Sequence, residues 1–330
     1  MPLTGVFFIP SNPNAATALA TVTERLASLF ADEATPVSRW ALEHKLMRDT
    51  PSCLPPSGTQ RPVAPKYMQL LSLTYYPNHG FIYTSQQSDQ DGPGTVPAAA
   101  ALIQSSSQSS QGTPATAPMV MTTVPLPSTG ALYQHFSYAC QPFWCHRHTV
   151  TVPNGVVYEI GDFRVCVGDV RQTQPAVRIR GTVIEIEWRG PSLATTLSSL
   201  YRSRKQKRSA ASNPYTYDTE DGEDDDSGID MAFPDGVEEA DIDAEYAATA
   251  SLIREFWAKL EIEGAREAIL VPDVGKEIKR RLRELKQQDK QSFGRVGNEA
   301  GSGLQVDEDP DPDAGVDVAR QFMEIFRFNR

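Results

Sequence analysis

The sequence predicts an α+β fold: an antiparallel, barrel-like β-sheet with flanking helices, interrupted by long disordered insertions. Three observations point there. Runs such as VSRWALEHKLM (37–47) and DFRVCVGDV (162–170) alternate apolar with polar residues, the pattern of a sheet with one face on a core. Helical spacing is confined to a few segments between and after these runs. Long polar or charged stretches, at 86–125, 202–240 and 291–313, cannot bury enough apolar surface to offset chain entropy. With about seven strands, closure toward a barrel would remove exposed edges.

The elements follow in order. TGVFFI (4–9), closed by Pro10, reads as a strand. Ala15, Ala18, Leu19, Val22, Leu26, Leu29 and Phe30 then recur at helical spacing, with Thr21, Glu24 and Arg25 opposite. In VSRWALEHKLM, Trp40, Leu42, His44 and Leu46 share one side, and Arg39, Glu43 and Lys45 the other. The proline-rich stretch 51–65 is a loop. YMQLLSLTYY (67–76) and GFIYTS (80–85), split by Pro77-Asn78-His79, form a hairpin. Helical spacing resumes at 128–139 with Leu132 and Phe136. Strands are expected at about 144–152, 156–170 and 176–189. The apolar phase of the last one switches near Gly181, which suggests a β-bulge there. A helix at about 241–263 carries Tyr246, Leu252, Ile253, Phe256, Trp257 and Leu260 on one stripe. A basic helix at 273–290 and a short apolar helix over VDVARQFMEIFRF end the chain, the latter burying Val318, Phe322, Ile325 and Phe326. Segments 1–85, 126–201, 241–272 and 314–330 are read as one β-barrel-like domain.

Charge is unevenly distributed. Residues 218–245 hold 14 Asp and Glu and no Lys or Arg; without them the formal charge of −11 becomes +3. A near-neutral folded part argues against a dedicated nucleic-acid groove, which needs clustered cations. The four cysteines, Cys53, Cys140, Cys145 and Cys166, are too sparse for a disulfide framework. The N-terminus lacks a signal peptide's basic region, and no apolar run approaches a membrane span. A soluble intracellular chain with reduced thiols is expected.

Two clusters invite chemistry. FSYACQPFWCHRHTV (136–150) places Cys140, Cys145, His146 and His148 within nine positions. A zinc site needs paired ligands at other spacings. On a strand, His146 and His148 share a face and Cys145 points away, so four ligands would not converge. The expected reading is two small hydrophobic thiols and two histidines among apolar contacts. In VIEIEWRG (183–190), Glu185, Glu187 and Arg189 share one face of a strand. That echoes the E-x-E-x-K strand of tunnel-type triphosphatases, where paired carboxylates hold a divalent metal. The alternative function is accordingly a metal-dependent phosphohydrolase using Glu185 and Glu187. The strands at 4–9, 67–76 and 80–85 carry no matching charges, so a solvated face over Ile184, Ile186 and Trp188 is the simpler expectation. Phosphate-loop, dinucleotide-loop, zincin and nucleophile-elbow motifs are absent from the sequence. No cofactor or metal is called for.

RSRKQKR (202–208), with Arg202, Arg204, Lys205, Lys207 and Arg208, reads as an import-like run in a linker. In the basic helix, Ile278, Leu282 and Leu285 make a narrow apolar seam just wide enough for a partner helix, Lys279, Arg280, Arg281 and Arg283 offer a nucleic-acid contact, and a solvated insertion helix with one docking edge is the simpler expectation.

The order of elements resembles the Mediator complex subunit 20 family, in its filamentous-fungal form. The resemblance rests on GVFFIP with the following Ala/Leu-rich helix, on YMQLLSLTYYP, and above all on QHFSYACQPFWCHRHTVTVPNGVVYEIGDFRVCVGDVRQ with RIRGTVIEIEWRGPSL; RQFMEIFRF fits the terminal helix. It covers about two thirds of the chain, and the tracts 86–125, 202–240 and 273–313 look like insertions. The resemblance implies a non-catalytic, nuclear subunit of the Mediator head module. It implies pairing with Mediator subunit 18, contacts with other head subunits, and an indirect link to RNA polymerase II. It transfers no catalytic residue.

Overall fold

The computed structural model describes residues 3–11, 17–31, 34–53, 65–86, 120–140, 143–211, 236–292, 311 and 313–327. The strands are β1 (Leu3–Pro10), β2 (Thr35–Asp49), β3 (Lys66–Leu73), β4 (His79–Gln86), β5 (Val120–Pro125), β6 (Trp144–Ile160), β7 (Phe163–Gln174), β8 (Arg178–Trp188) and β9 (Arg266–Ala268). The helices are α1 (Leu19–Leu29), α2 (Thr50–Cys53), α3 (Leu126–Gln134), α4 (Leu193–Ala211), α5 (Glu239–Lys259), α6 (Lys276–Ser292) and α7 (Val316–Ile325), with a π-helical turn at His135–Ala139.

The strands form one nine-stranded sheet in the order β5-β4-β3-β2-β6-β7-β8-β1-β9. The ladders β1–β8, β1–β9, β2–β3, β3–β4 and β4–β5 are antiparallel. The α+β, antiparallel expectation therefore holds, but the sheet does not close into a barrel. Its ends are β5, which pairs with β4, and β9, which pairs with β1 and at three residues is too short to carry a closing ladder.

The chain forms two compact units. The first comprises Met1–Arg39, Asn154–Asp169 and Gly181–Arg330; the second comprises Trp40–Pro153 and Val170–Arg180. In the first, Phe7, Ile184, Ile186, Val165, Val167 and Ile160 make the apolar face of the sheet. Val22 and Leu26 of α1 and Ala250, Ile253 and Phe256 of α5 cover it. Phe7 stacks on Trp257 with ring centroids 4.2 Å apart. α5 starts on a capping box in which Glu238 and Asp241 serve each other's backbone N–H groups. Glu245 of α5 caps its neighbour, accepting the Leu193 N–H of α4 at 2.5 Å and the Ala194 N–H at 3.0 Å. In the second unit, Met47, Met68 and Leu70 pack with Tyr133, Phe136 and Trp144 on one side of the sheet. Trp40, Leu42, His44 and Leu46 are buried on the other, as their alternation required.

Several expected boundaries move. The turn between the central strands lies at Gly161-Asp162, not around Pro153-Asn154-Gly155, through which β6 runs unbroken. The β1–β8 register is continuous from Pro10↔Gly181 to Leu3↔Trp188, so no bulge occupies it. Gly181 is instead a point of close approach: a Cβ there would sit 2.1 Å from the Ile9 carbonyl oxygen. Leu252, expected on the buried stripe of α5, is 39% exposed. Of the tract 86–125, residues 87–119 lie outside the described residues, and its end forms β5, whose β-branched Val120, Thr122, Thr123 and Val124 suit a strand. The basic run 202–208 is part of α4 rather than a linker. Most of the acidic tract (212–235), of loop 51–65 (54–64) and of the polar linker (293–310 and 312) also lies outside the described residues.

Candidate functional site

The terminal helix organises the polar interior of the first unit. The sequence marks only its apolar positions, yet Asp317, Arg320 and Gln321 are buried with them. Thr4 sits on the opposite face of β1 from Phe7 by strand alternation, and α7 lies on that side. Gln321 Nε2 donates to the carbonyls of Thr4 at 2.7 Å and Ile269 at 2.8 Å, and its Oε1 accepts from the Thr4 hydroxyl at 2.6 Å. One amide thus satisfies backbone carbonyls in β1 and beside β9. Arg320 makes a two-pronged pair with Glu277 of α6, both contacts at 2.6 Å, and donates to Asp317 at 3.0 Å and the Asp273 carbonyl at 2.9 Å. Asp317 also accepts from Tyr246 and from the Gly275 N–H. Burial pushes the Asp317 carboxyl above its usual range, with Glu277 adding to the rise, while Arg320, Tyr246 and the Gly275 N–H oppose it.

The same sheet side of β7 and β8 carries Arg164, Cys166, Glu185 and Glu187. The expectation of a solvated acidic face fails here: Glu185 is 1% and Glu187 9% exposed. Both faces of β8 are buried, so alternation alone could not identify a wet side. Arg164 meets Glu187 at 2.9 Å, Arg189 approaches Glu187 at 3.6 Å, and Arg189 pairs with Glu159 at 2.9 Å. Burial opposes the Arg164 charge, but Cys166, Glu187 and Glu185 outweigh it and hold the guanidinium protonated above its ordinary range. Burial, reinforced by Glu185, pushes the Cys166 thiol well up. Glu187 is committed to two arginines, which is ion-pair chemistry rather than the open carboxylate pair a phosphohydrolase needs. Among the described residues, no group of three or more His, Cys, Asp or Glu is placed to hold a metal ion.

The seam expected to receive a partner helix is filled from within. Ile278, Leu282 and Leu285 are fully buried, packed with Leu3, Ala194, Leu197 and Ile242 of the same unit. The narrow apolar stripe is the docking edge of α6 on α4 and α5. The charged side of α6 is engaged as well: Arg281 is 1% exposed and pairs with Asp311 and Asp313, Lys279 pairs with Asp243, and Arg283 with Glu239. Of the basic run, Arg202 meets Asp311 at 2.9 Å.

The cysteine–histidine cluster of the second unit separates. Cys140 Sγ lies 3.5 Å from His135 Nε2, while Cys145 Sγ lies 3.3 Å from Thr50 Oγ1. His146 and His148 do not keep to one side as expected. The His146 ring meets Tyr133 edge-on, and its Nε2 reaches the Thr149 hydroxyl at 3.0 Å. A side-chain bond between strand residues three apart requires the alternation to slip between them. His148 lies beside His44, with ring centroids 6.1 Å apart, and His44 Nε2 donates to Gln69 Oε1 at 2.9 Å. Burial depresses His44 to about 4 and, with the charges of His44 and Arg180 adding to it, His148 to about 3.

Sequence reading missed Asp317, Arg320, Gln321 and Arg281 as structural centres and did not place Cys53 near Cys145. The only signal for the first three was a polar stripe on a helix otherwise suited to burial.

The geometry thus offers buried, mutually neutralised polar networks. No curated protein matches the chain. Among solved structures it is similar to PH1819 protein from Pyrococcus horikoshii OT3, at 8% identity over 57% of this chain and 78% of that one, with a TM-score of 0.23. At that score the likeness carries no weight. The model of one family, TATA-binding related factor (TRF) of subunit 20 of Mediator complex, matches residues 1–327. That span takes in every described element from β1 through α7, and the chain therefore belongs to the Mediator subunit 20 family.

Proposed function

We propose that this Mediator subunit, whose family works in transcription regulation, is a non-catalytic member of the head module that pairs with Mediator subunit 18. In this reading it contacts other head subunits and links regulators to RNA polymerase II through protein–protein interaction. The observation that carries the proposal is the family match over residues 1–327. The buried chemistry supports it: the carboxylates of Glu187 and Asp317 are spent on arginine and hydroxyl partners, an arrangement that rigidifies a scaffold. The family implies a nuclear location. The basic run Arg202, Arg204, Lys205, Lys207 and Arg208 would serve import, and replacing all five with alanine in a fluorescent fusion should reduce nuclear accumulation.

The test is affinity purification of the tagged full-length chain from cells, with identification of what accompanies it. Co-expression with subunit 18 should then give a one-to-one complex in gel filtration. Recovery of Mediator subunits together with that complex is the expected result. A lone monomer that brings down neither subunit 18 nor any other head subunit would overturn the proposal.

A further inference from the structure

Cys53 ends α2, and Cys145 is the second residue of β6. β2 runs directly into α2 and is the sheet neighbour of β6, so the two thiols come from adjoining segments. Those segments are tied at this end: the Thr50 N–H donates to the Phe143 carbonyl at 2.9 Å, and the Thr50 hydroxyl sits 3.3 Å from Cys145 Sγ. Cys53 follows Thr50 by one helical turn, so it shares the face of α2 whose Thr50 hydroxyl meets Cys145 Sγ, and the two thiols are near enough for Cys145 to act on the ionisation of Cys53. Cys53 is exposed and Cys145 half-buried, and all four cysteines carry free thiols. Burial raises the Cys53 thiol above its ordinary range and the neighbouring Cys145 adds to the rise, while Arg48 and Arg147 oppose it by favouring the thiolate. The other two cysteines are placed differently. Cys140 sulfur faces His135, and Cys166 is 1% exposed inside the first unit.

We propose that Cys53 and Cys145 are a peroxide-responsive pair that closes to a disulfide and staples the β2–α2 end to the start of β6. The oxidant is hydrogen peroxide. Cys53 thiolate attacks one peroxide oxygen; an S–O bond forms, the O–O bond breaks, and the second oxygen leaves as water with a proton. Cys145 sulfur then attacks the Cys53 sulfur; the S–S bond forms, the S–O bond breaks, and a second water leaves with the Cys145 proton. Each sulfur gives up one electron and the peroxide takes both. The closed loop contains β3, β4, β5 and α3, so the link constrains most of the second unit when unfolded.

The experiment uses the full-length protein. It is reduced, desalted, exposed to one equivalent of hydrogen peroxide, quenched with an alkylating reagent and mapped by peptide mass spectrometry. Cys53 and Cys145 should lose alkylation together, at least about tenfold faster than Cys166, and appear as one linked peptide that dithiothreitol separates. Cys53→Ser and Cys145→Ser should each abolish the link, while Cys140→Ser keeps it; circular dichroism checks that each variant folds. The oxidised protein should also unfold at higher denaturant than the reduced one. A Cys140–Cys145 link, cross-linked dimers, or sulfinic acid at Cys53 with Cys145 still free would overturn the proposal.

Discussion

Tyr246 on α5 donates its phenolic hydrogen to Asp317 on α7 at 2.9 Å, in a site where both side chains are buried. This contact joins the helix that covers the first unit's apolar face to the helix that lies on β1 and β9. It also packs the Tyr246 ring over the α6 entry, where a Cβ on Gly275 would come within 3.2 Å of the ring at a backbone φ of 77°. The position accepts glycine for two reasons at once, left-handed backbone and lack of room.

Asp317→Ala should therefore lower unfolding stability by about 3 kcal/mol, because it strands the Tyr246 hydroxyl, the Gly275 N–H and part of the Arg320 guanidinium without an acceptor. Asp317→Asn keeps an acceptor oxygen and should cost about 1 kcal/mol. Tyr246→Phe should cost about 1 kcal/mol, since Asp317 retains two other donors. Urea unfolding followed by tryptophan fluorescence orders the three; equal losses for the alanine and asparagine variants would contradict the network.

The Arg164–Glu187 pair makes a second prediction. Its side chains are 15% and 11% exposed, so breaking it leaves a largely desolvated charge. Glu187→Leu should cost about 3 kcal/mol, and Arg164→Met a similar amount. The double variant Arg164→Met/Glu187→Leu should recover much of that loss, because neither charge then remains to be buried. Equilibrium denaturation of the four proteins closes the cycle, and additive losses would show that the pair is not coupled.

Acid should weaken the second unit through His44 and His148. Both are held neutral when folded, at about 4 and about 3, whereas the unfolded chain binds protons near 6.5. Between those values the unfolded state carries more protons, so stability is full above pH 6.5 and falls as pH drops. Each histidine contributes a slope of about 1.4 kcal/mol per pH unit, and by pH 5 the two together remove about 4 kcal/mol. His148→Phe should halve the slope between pH 6.5 and 5. Unfolding midpoints measured across that range check it, and an unchanged slope would mean that the ring titrates normally when folded.

How far the sequence carried this reading depends on what kind of information each residue holds. Val22, Leu26, Ile253 and Phe256 declared their helices because one buried face imposes a period. The β3–β4 hairpin declared itself through Pro77-Asn78-His79 between two alternating runs. Glu185 and Glu187 were legible as a stripe, but not as a buried one. Whether a face is wet depends on what covers it, and β8 is buried on both sides. β5 was hidden because six strand residues adjoin a long low-complexity tract, and its pairing with β4 is a tertiary fact. The same limit applied to α6. A seam of three apolar residues specifies that something packs there without saying whether it belongs to the same chain.

Ile278, Leu282 and Leu285 are fully buried against this chain's own α4 and α5, so Leu282→Ala should act as a core truncation and cost about 3 kcal/mol. Leu282→Asp should be worse, since an unpaired carboxylate would replace an apolar contact. An effect on partner binding should follow only from unfolding. At a temperature well below its midpoint, Leu282→Ala should still form the proposed complex with subunit 18 at the affinity of the unsubstituted chain, whereas an interface residue would lose affinity with its midpoint intact. Differential scanning fluorimetry and a titration of the purified partner, run on the same preparation, separate the two cases. A variant with native stability and lost binding would return the seam to the surface.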